Sequence, residues 1–124
     1  MSKKHLAIQW LDKPAKHDYA AAESYLSLLF DATVVAGYVK ELRHAHMCEF
    51  KAKDLLRASS LSRLGVSNSH VERDREKIVK GDALSPILLI RGSKNDRLII
   101  ADGYHRLCAV YSLDEDARIP SKLI

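Results

Sequence analysis

The residues best placed to do chemistry lie in one stretch, Leu98-Ile-Ile-Ala-Asp-Gly-Tyr-His-Arg-Leu-Cys-Ala-Val-Tyr111. An apolar strand ends in Asp102-Gly103, and a helical pattern begins within two residues. The first turn of a helix leaves about four backbone N–H groups without intrahelical partners and carries roughly half a positive charge. An anion seated there satisfies both. Gly103 removes the Cβ that would hold a phosphate away from the backbone. His105 and Arg106 project from the first turn, where an imidazole and a fork of guanidinium donors can grip phosphate oxygens. Asp102 has two roles open to it, capping the helix or holding a Mg²⁺ ion that bridges to the phosphates. Tyr104 could stack on a base, donate a hydrogen bond or pack in the core. The same residues also make an ordinary strand–helix connection, so the pattern is compatible with either reading.

The elements that must position this turn follow from periodicity. Asp18 reads as an N-cap for a helix over residues 19–30, and Asp31 as the cap of a second, with Val34, Val35, Tyr38, Val39 and Leu42 on one stripe. Each helix has one oily face, and the pair makes a hairpin that must pack on the C-terminal segment. Trp10 is expected to pin the N-terminal arm to the body through its large apolar area. Phe50, Ala52 and Asp54-Leu55-Leu56 read as a short strand entering a polar turn, Arg57 to Arg63. Residues 65–69 form a break and cap, followed by a charged surface helix, His70 to Lys80, that stops at Gly81. Its alternating charges, Glu72, Arg73, Asp74, Arg75, Glu76 and Lys77, suggest a solvated face with internal ion pairs. Ser85-Pro86 delivers a buried strand, Ile87–Ile90, then a hairpin loop over 92–96, its partner Leu98–Ala101, a helix from Tyr104 to Leu113 and a last strand, Arg118–Ile124. The order predicts an α+β (α/β-like) fold: a small mixed sheet flanked by helices, with an N-terminal arm and helical hairpin over 1–48 and the sheet-bearing domain over 49–124.

Composition sets the bounds. The chain has 124 residues, 47% hydrophobic and 29% charged, with a formal net charge of +4. That suits a globular domain and attracts anions, but no polybasic run or interleaved aromatics mark a nucleic-acid surface. Two cysteines at no redox or metal spacing point to a reduced, cytoplasmic setting. The apolar segments are too short for a signal peptide or a membrane span. His44, His46 and Cys48 are crowded at a helix end, where cationic imidazoles suit the helix C-terminus better than a metal would.

Ala101-Asp-Gly-Tyr-His-Arg-Leu-Cys-Ala-Val110 resembles the Gly-x-His-Arg turn of sulfiredoxins and the Gly-Glu-Arg-Arg turn of ParB N-terminal domains. It is closer still to the Asp-Gly-x-His-Arg turn of stand-alone members of the ParB/sulfiredoxin superfamily. Ser85–Ile90 resembles the Pro-Ile-x-Val strand before the hairpin, Ile119–Ile124 the closing Ile-Pro-x-Lys-Leu-Val strand, and Phe50–Arg57 the opening strand. The resemblance covers about residues 49–124. It implies a site for ATP, CTP or ADP phosphates with Mg²⁺, in which Gly103, His105 and Arg106 contact phosphate and Arg57, Ser59, Ser60 and Ser62 face the nucleotide. Asp102 would hold Mg²⁺ or orient His105, making these two the candidate catalytic pair.

The departures narrow the function. Tyr104 stands where sulfiredoxins carry their catalytic cysteine, and a phenol cannot replace a thiolate nucleophile. Cys108, one turn on in an apolar run, reads as core. Sulfinic-acid reduction is therefore excluded. Three classes remain: a nucleotide-dependent phosphotransferase or hydrolase, a non-catalytic nucleotide-sensing or protein-interaction module using its N-terminal helices, and a less favoured ParB-like nucleic-acid-binding protein or nuclease. Open edges of a small sheet make a homodimer compatible with the pattern.

Overall fold

A computed structural model describes residues 7–64, 68–92 and 97–124. Five helices surround a four-stranded mixed sheet: α1 (Lys16–Leu26), α2 (Ala32–His44), β1 (Met47–Lys51), α3 (Ala52–Ser59), α4 (Ser69–Lys80), β2 (Ile87–Ile90), β3 (Ile99–Asp102), α5 (Tyr104–Leu113) and β4 (Arg118–Leu123). Strands run in the order β1-β4-β2-β3. β4 lies parallel to β2, and the two outer pairings are antiparallel. The α+β class, mixed sheet, flanking helices and N-terminal helical hairpin agree with the sequence.

The alternation of side chains along the central strand explains the layering. Ile87 and Leu89 of β2 enter one core with Leu55, Val71, Leu107 and Val110 from α3, α4 and α5. Leu88 and Ile90 point the other way, into a second core with Tyr19, Leu26, Val35, Val39 and Leu42 of the hairpin. All four residues of β2 are therefore buried. The Lys122 ammonium donates to the Arg43 carbonyl at 3.0 Å, tying α2 to β4. In the N-terminal arm, the Leu11 N–H donates to Leu84 O at 2.9 Å and Trp10 packs half-buried on the first core, the anchoring expected of it.

Two local expectations are corrected. The segment from Ala52 is a helix, and the opening strand lies earlier, at Met47–Lys51. Ala52, Leu55 and Ser59 are its buried residues, a helical rather than a strand spacing. Asp18 is not a cap: α1 begins at Lys16 after Ala15, and Asp18 sits buried in its first turn. Asp31 does cap α2, accepting from Val34 N–H at 3.0 Å. Gly81, at φ 82°, ends α4 as expected. The expected break at 65–67 and the tip of the hairpin loop, 93–96, lie outside the described residues.

Candidate functional site

Strand β3 delivers the chain to α5 through Gly103, whose φ is +111°. A Cβ here would sit 2.2 Å from Ile87 Cγ2 and 3.0 Å from Arg106 Nη2. The glycine is thus required by its backbone angle and by close packing on β2. The N-cap residue of α5 is Gly103, which has no side chain to cap the helix. Of the two roles open to it, Asp102 does not take the cap. Its Oδ2 accepts instead from Arg106 Nη2, one turn on, at 2.9 Å.

Arg106 is the hub of a polar node that reaches all three layers. Its Nη2 also lies 3.3 Å from the Pro86 carbonyl and 3.8 Å from Asp18 Oδ2. Asp18 Oδ2 accepts from the Ser85 hydroxyl, whose oxygen accepts from Ala15 N–H at 3.0 Å. Two carboxylates thus share one guanidinium, and Arg106 Nε is buried with no hydrogen-bond partner among the described residues. Burial holds the Asp102 carboxyl above the usual carboxylate range; Arg106 opposes this, and the Asp18 carboxylate reinforces it.

Helices α4 and α5 bring a second set of groups to the same turn. A cleft of about 200 Å³ is lined by Arg73, Asp74 and Lys77 of α4, with His70, and by residues 102–106. Asn68 caps α4, accepting from His70 N–H at 3.0 Å and Val71 N–H at 3.2 Å. The cap fixes the first turn that carries His70. The His70 ring meets the His105 ring, centroids 4.8 Å apart and planes 38° apart. Burial, with His70 and Arg106 beside it, holds the His105 imidazole below the ordinary histidine range, while Asp74 pulls it upward. Burial raises the Asp74 carboxyl against the pull of Arg106, Lys77 and His105.

The residues expected at the site divide into two groups. Asp102, Gly103, Tyr104, His105 and Arg106 line the cleft together. The Tyr104 hydroxyl donates to the Ser62 carbonyl, and its ring lies 5.8 Å from that of His105. Arg57 and Ser60 line a separate cavity with Lys53, Leu61 and Tyr111, and Arg57 pairs with Asp54 at 3.6 Å. Ser59 is buried, its hydroxyl donating to Leu56 O at 2.9 Å. Cys108 is fully buried, and burial pushes its thiol up, the inert state expected of a core residue. His44 Nδ1 lies 2.8 Å from the Lys40 carbonyl at the end of α2.

The sequence pattern of α4 pointed to a solvated face, yet His70, Arg73, Asp74 and Lys77 border the cleft. Their 70, 73, 74, 77 spacing, one helical stripe, was the signal available. Asp18 was missed because an acid before an alanine run reads first as a cap.

A Mg²⁺ ion held by Asp102 does not fit this donor set. Its carboxylate is engaged by Arg106, two further cations line the cleft, and among the described residues no three acids, histidines or cysteines gather as metal ligands. Also among the described residues, no helix is long and apolar enough to cross a membrane.

Fold and site together define a mixed α+β domain with a polar cleft of mixed charge at the start of α5. Comparison of the chain with models of known families, with curated proteins and with solved structures found no match.

Proposed function

We propose that the chain binds the phosphates of a nucleotide in the α4–α5 cleft. One observation carries the reading: Arg73, Lys77, Arg106, His70 and His105 line one cleft at the start of α5, beside Asp74 and Asp102, and the N-cap residue there is a glycine with no side chain to bond the first N–H groups. The cleft's volume, about 200 Å³, falls below the roughly 300–1,000 Å³ of typical ligand pockets. It takes a diphosphate or triphosphate moiety and leaves the nucleoside outside, which predicts weak selection among bases. The order of β2, β3, the Asp-Gly-x-His-Arg turn, α5 and β4 supports assigning the chain to the ParB/sulfiredoxin superfamily, and with it a nucleotide as the source of the phosphates.

Because Asp102 is bound to Arg106, this is a binding site rather than a hydrolytic one, and Arg106 acts as its floor. Arg73 and Lys77, exposed on α4, are the cations that would meet the ligand from solvent. Two free cysteines accord with a reduced cytoplasmic setting.

Calorimetry with ATP, CTP, ADP and pyrophosphate, with and without Mg²⁺, tests the reading. The native chain is expected to bind the nucleotides with similar affinities and to release no phosphate, and the Arg73→Ala/Lys77→Ala variant to bind at least about tenfold more weakly, each charge-assisted contact being worth roughly 1.5–3 kcal/mol before solvent screening. Phosphate release would assign a chemical role to His105. Absence of binding, with a salt-dependent shift of DNA instead, would overturn the proposal in favour of a nucleic-acid protein.

A further inference from the structure

The two histidines at the mouth of the cleft occupy equivalent positions: each is the second residue of its helix, His70 in α4 and His105 in α5. His105 thus lies at a positive helix end, where a cationic ring is disfavoured. Their rings are in contact, 4.8 Å between centroids, so a charge on one opposes a charge on the other. The charged neighbours deepen the asymmetry. Arg73 and Lys77 of α4 and Arg106 of α5 oppose a positive His105, whereas Asp74 of α4 and Asp102 of β3 favour it. Asp102 is already engaged by Arg106, and Asp18 of α1 acts only through that guanidinium. Without a ligand the balance disfavours the cationic form of His105.

A phosphate in the cleft reverses this balance. Two negative charges within hydrogen-bond reach of an imidazole favour its cationic form by about 1–3 pH units, against the burial and neighbouring cations that hold it down. The anion also answers the helix end that opposed the proton. Resting on the phosphate-binding reading above, we propose that ligand binding is coupled to uptake of a proton by His105, so that the cleft grips phosphate more tightly as the solution becomes more acidic. The bound imidazolium donates to a phosphate oxygen, and the tilted ring of His70 packs against it. No bond other than that to the proton changes, and the proton comes from solvent.

Linkage fixes the sign and the readout. A site that binds protons with its ligand loses affinity as pH rises, by at most about tenfold per pH unit for one proton. Pyrophosphate binding is measured by calorimetry at pH 7 in Pipes and in Tris, whose different ionisation heats report proton uptake. The native chain is expected to take up more protons than His105→Gln, up to about one per site, as linkage requires of one titrating group; uptake by pyrophosphate itself cancels in the difference. Equal uptake would overturn the proposal while leaving the phosphate site standing. Should His105→Gln bind too weakly for heats, the His105 ring signals of the native chain are titrated by NMR, free and saturated with pyrophosphate. An unmoved midpoint overturns the coupling, and an upward shift of about one to three pH units supports it. Failure of the native chain to bind pyrophosphate at any pH from 5.5 to 8.5 would instead remove the phosphate site, and the coupling with it.

Discussion

Arg106 Nη2 stands 2.9 Å from Asp102 Oδ2 and 3.8 Å from Asp18 Oδ2, so one guanidinium joins the turn after β3 to the first turn of α1. The arginine that first looks free to meet an anion is instead built into the scaffold. Its side chain is 17% exposed and that of Asp18 only 3%. The pair therefore experiences far less screening than a surface ion pair.

The node predicts a measurable coupling. Asp18→Ala removes the acceptor of the Ser85 hydroxyl and one counter-charge of Arg106, and is expected to destabilise the fold by about 1.5–3 kcal/mol in urea denaturation. Arg106→Met leaves the buried Asp18 and half-buried Asp102 carboxylates without their shared cation and should be at least as costly. The double variant should lose less than the sum, because each single change strands the other partner. Strict additivity would show that the two side chains act independently.

Gly103 is the position least tolerant of change. Alanine there must hold φ near +111° and place its methyl 2.2 Å from Ile87 Cγ2. Left-handed strain and overpacking each cost on the order of 1–3 kcal/mol, so Gly103→Ala is expected to lower stability by at least about 2 kcal/mol. The companion Ile87→Val removes only a terminal methyl and leaves Cγ2 in place. It should not rescue the variant. Rescue would relocate the clash.

The sheet and most helices were legible in the sequence because their signals are local. Ile87–Ile90 is a continuous apolar run, Asn68 and Gly81 bracket α4, and Asp31 announces α2. The opening strand was misplaced because Phe50, Ala52 and Asp54 alternate for a few residues before the helical spacing of Ala52, Leu55 and Ser59 takes over. Side-chain partnerships were less legible than elements. Nothing local distinguishes an Asp18 that caps from one that reaches Ser85, 67 residues away. Likewise, a charged helix does not disclose which of its stripes will border another helix's first turn. The Asp-Gly-x-His-Arg residues do share one cleft, whereas Arg57 and Ser59 point elsewhere.

His105 sets a pH dependence of stability in the absence of ligand. Its folded-state pKa is lowered by burial and by His70, so the folded chain holds this proton less readily than the unfolded chain. Its contribution is therefore fully present above the unfolded histidine pKa of about 6.5. It is lost as pH falls through that value toward the lowered one. Urea midpoints of the native chain should fall more between pH 7.5 and 5 than those of His105→Gln. Parallel curves would show that the imidazole is equally free to charge in both states.

Asn68 links a cap to the cleft. Its Oδ1 accepts from two backbone N–H groups of the turn that carries His70. Asn68→Ala is expected to cost about 1 kcal/mol, the usual loss for an N-cap. It should also weaken pyrophosphate binding, since a frayed first turn no longer holds His70 against His105. Asn68→Asp retains the cap but brings a negative charge to the cleft's mouth. It should preserve stability and still weaken the anion, separating the structural effect of the residue from its electrostatic one.

The hairpin is an integral layer because β2 is buried on both faces. Leu88 and Ile90 contact α1 and α2, while Ile87 and Leu89, interleaved with them, contact α3 to α5. A cavity in one core is therefore felt across a strand one residue thick. Leu26 is fully buried in the hairpin core, and Leu26→Ala should cost about 2–5 kcal/mol. Trp10 reports on the opposite core, beside Leu84. Unfolding of Leu26→Ala followed by Trp10 fluorescence and by far-ultraviolet circular dichroism should give coincident curves, both shifted to lower urea. A Trp10 transition that stays at its native midpoint while ellipticity falls earlier would mean that the hairpin melts by itself. The Asp18–Arg106 contact would then be too weak to bind the layers into one cooperative unit.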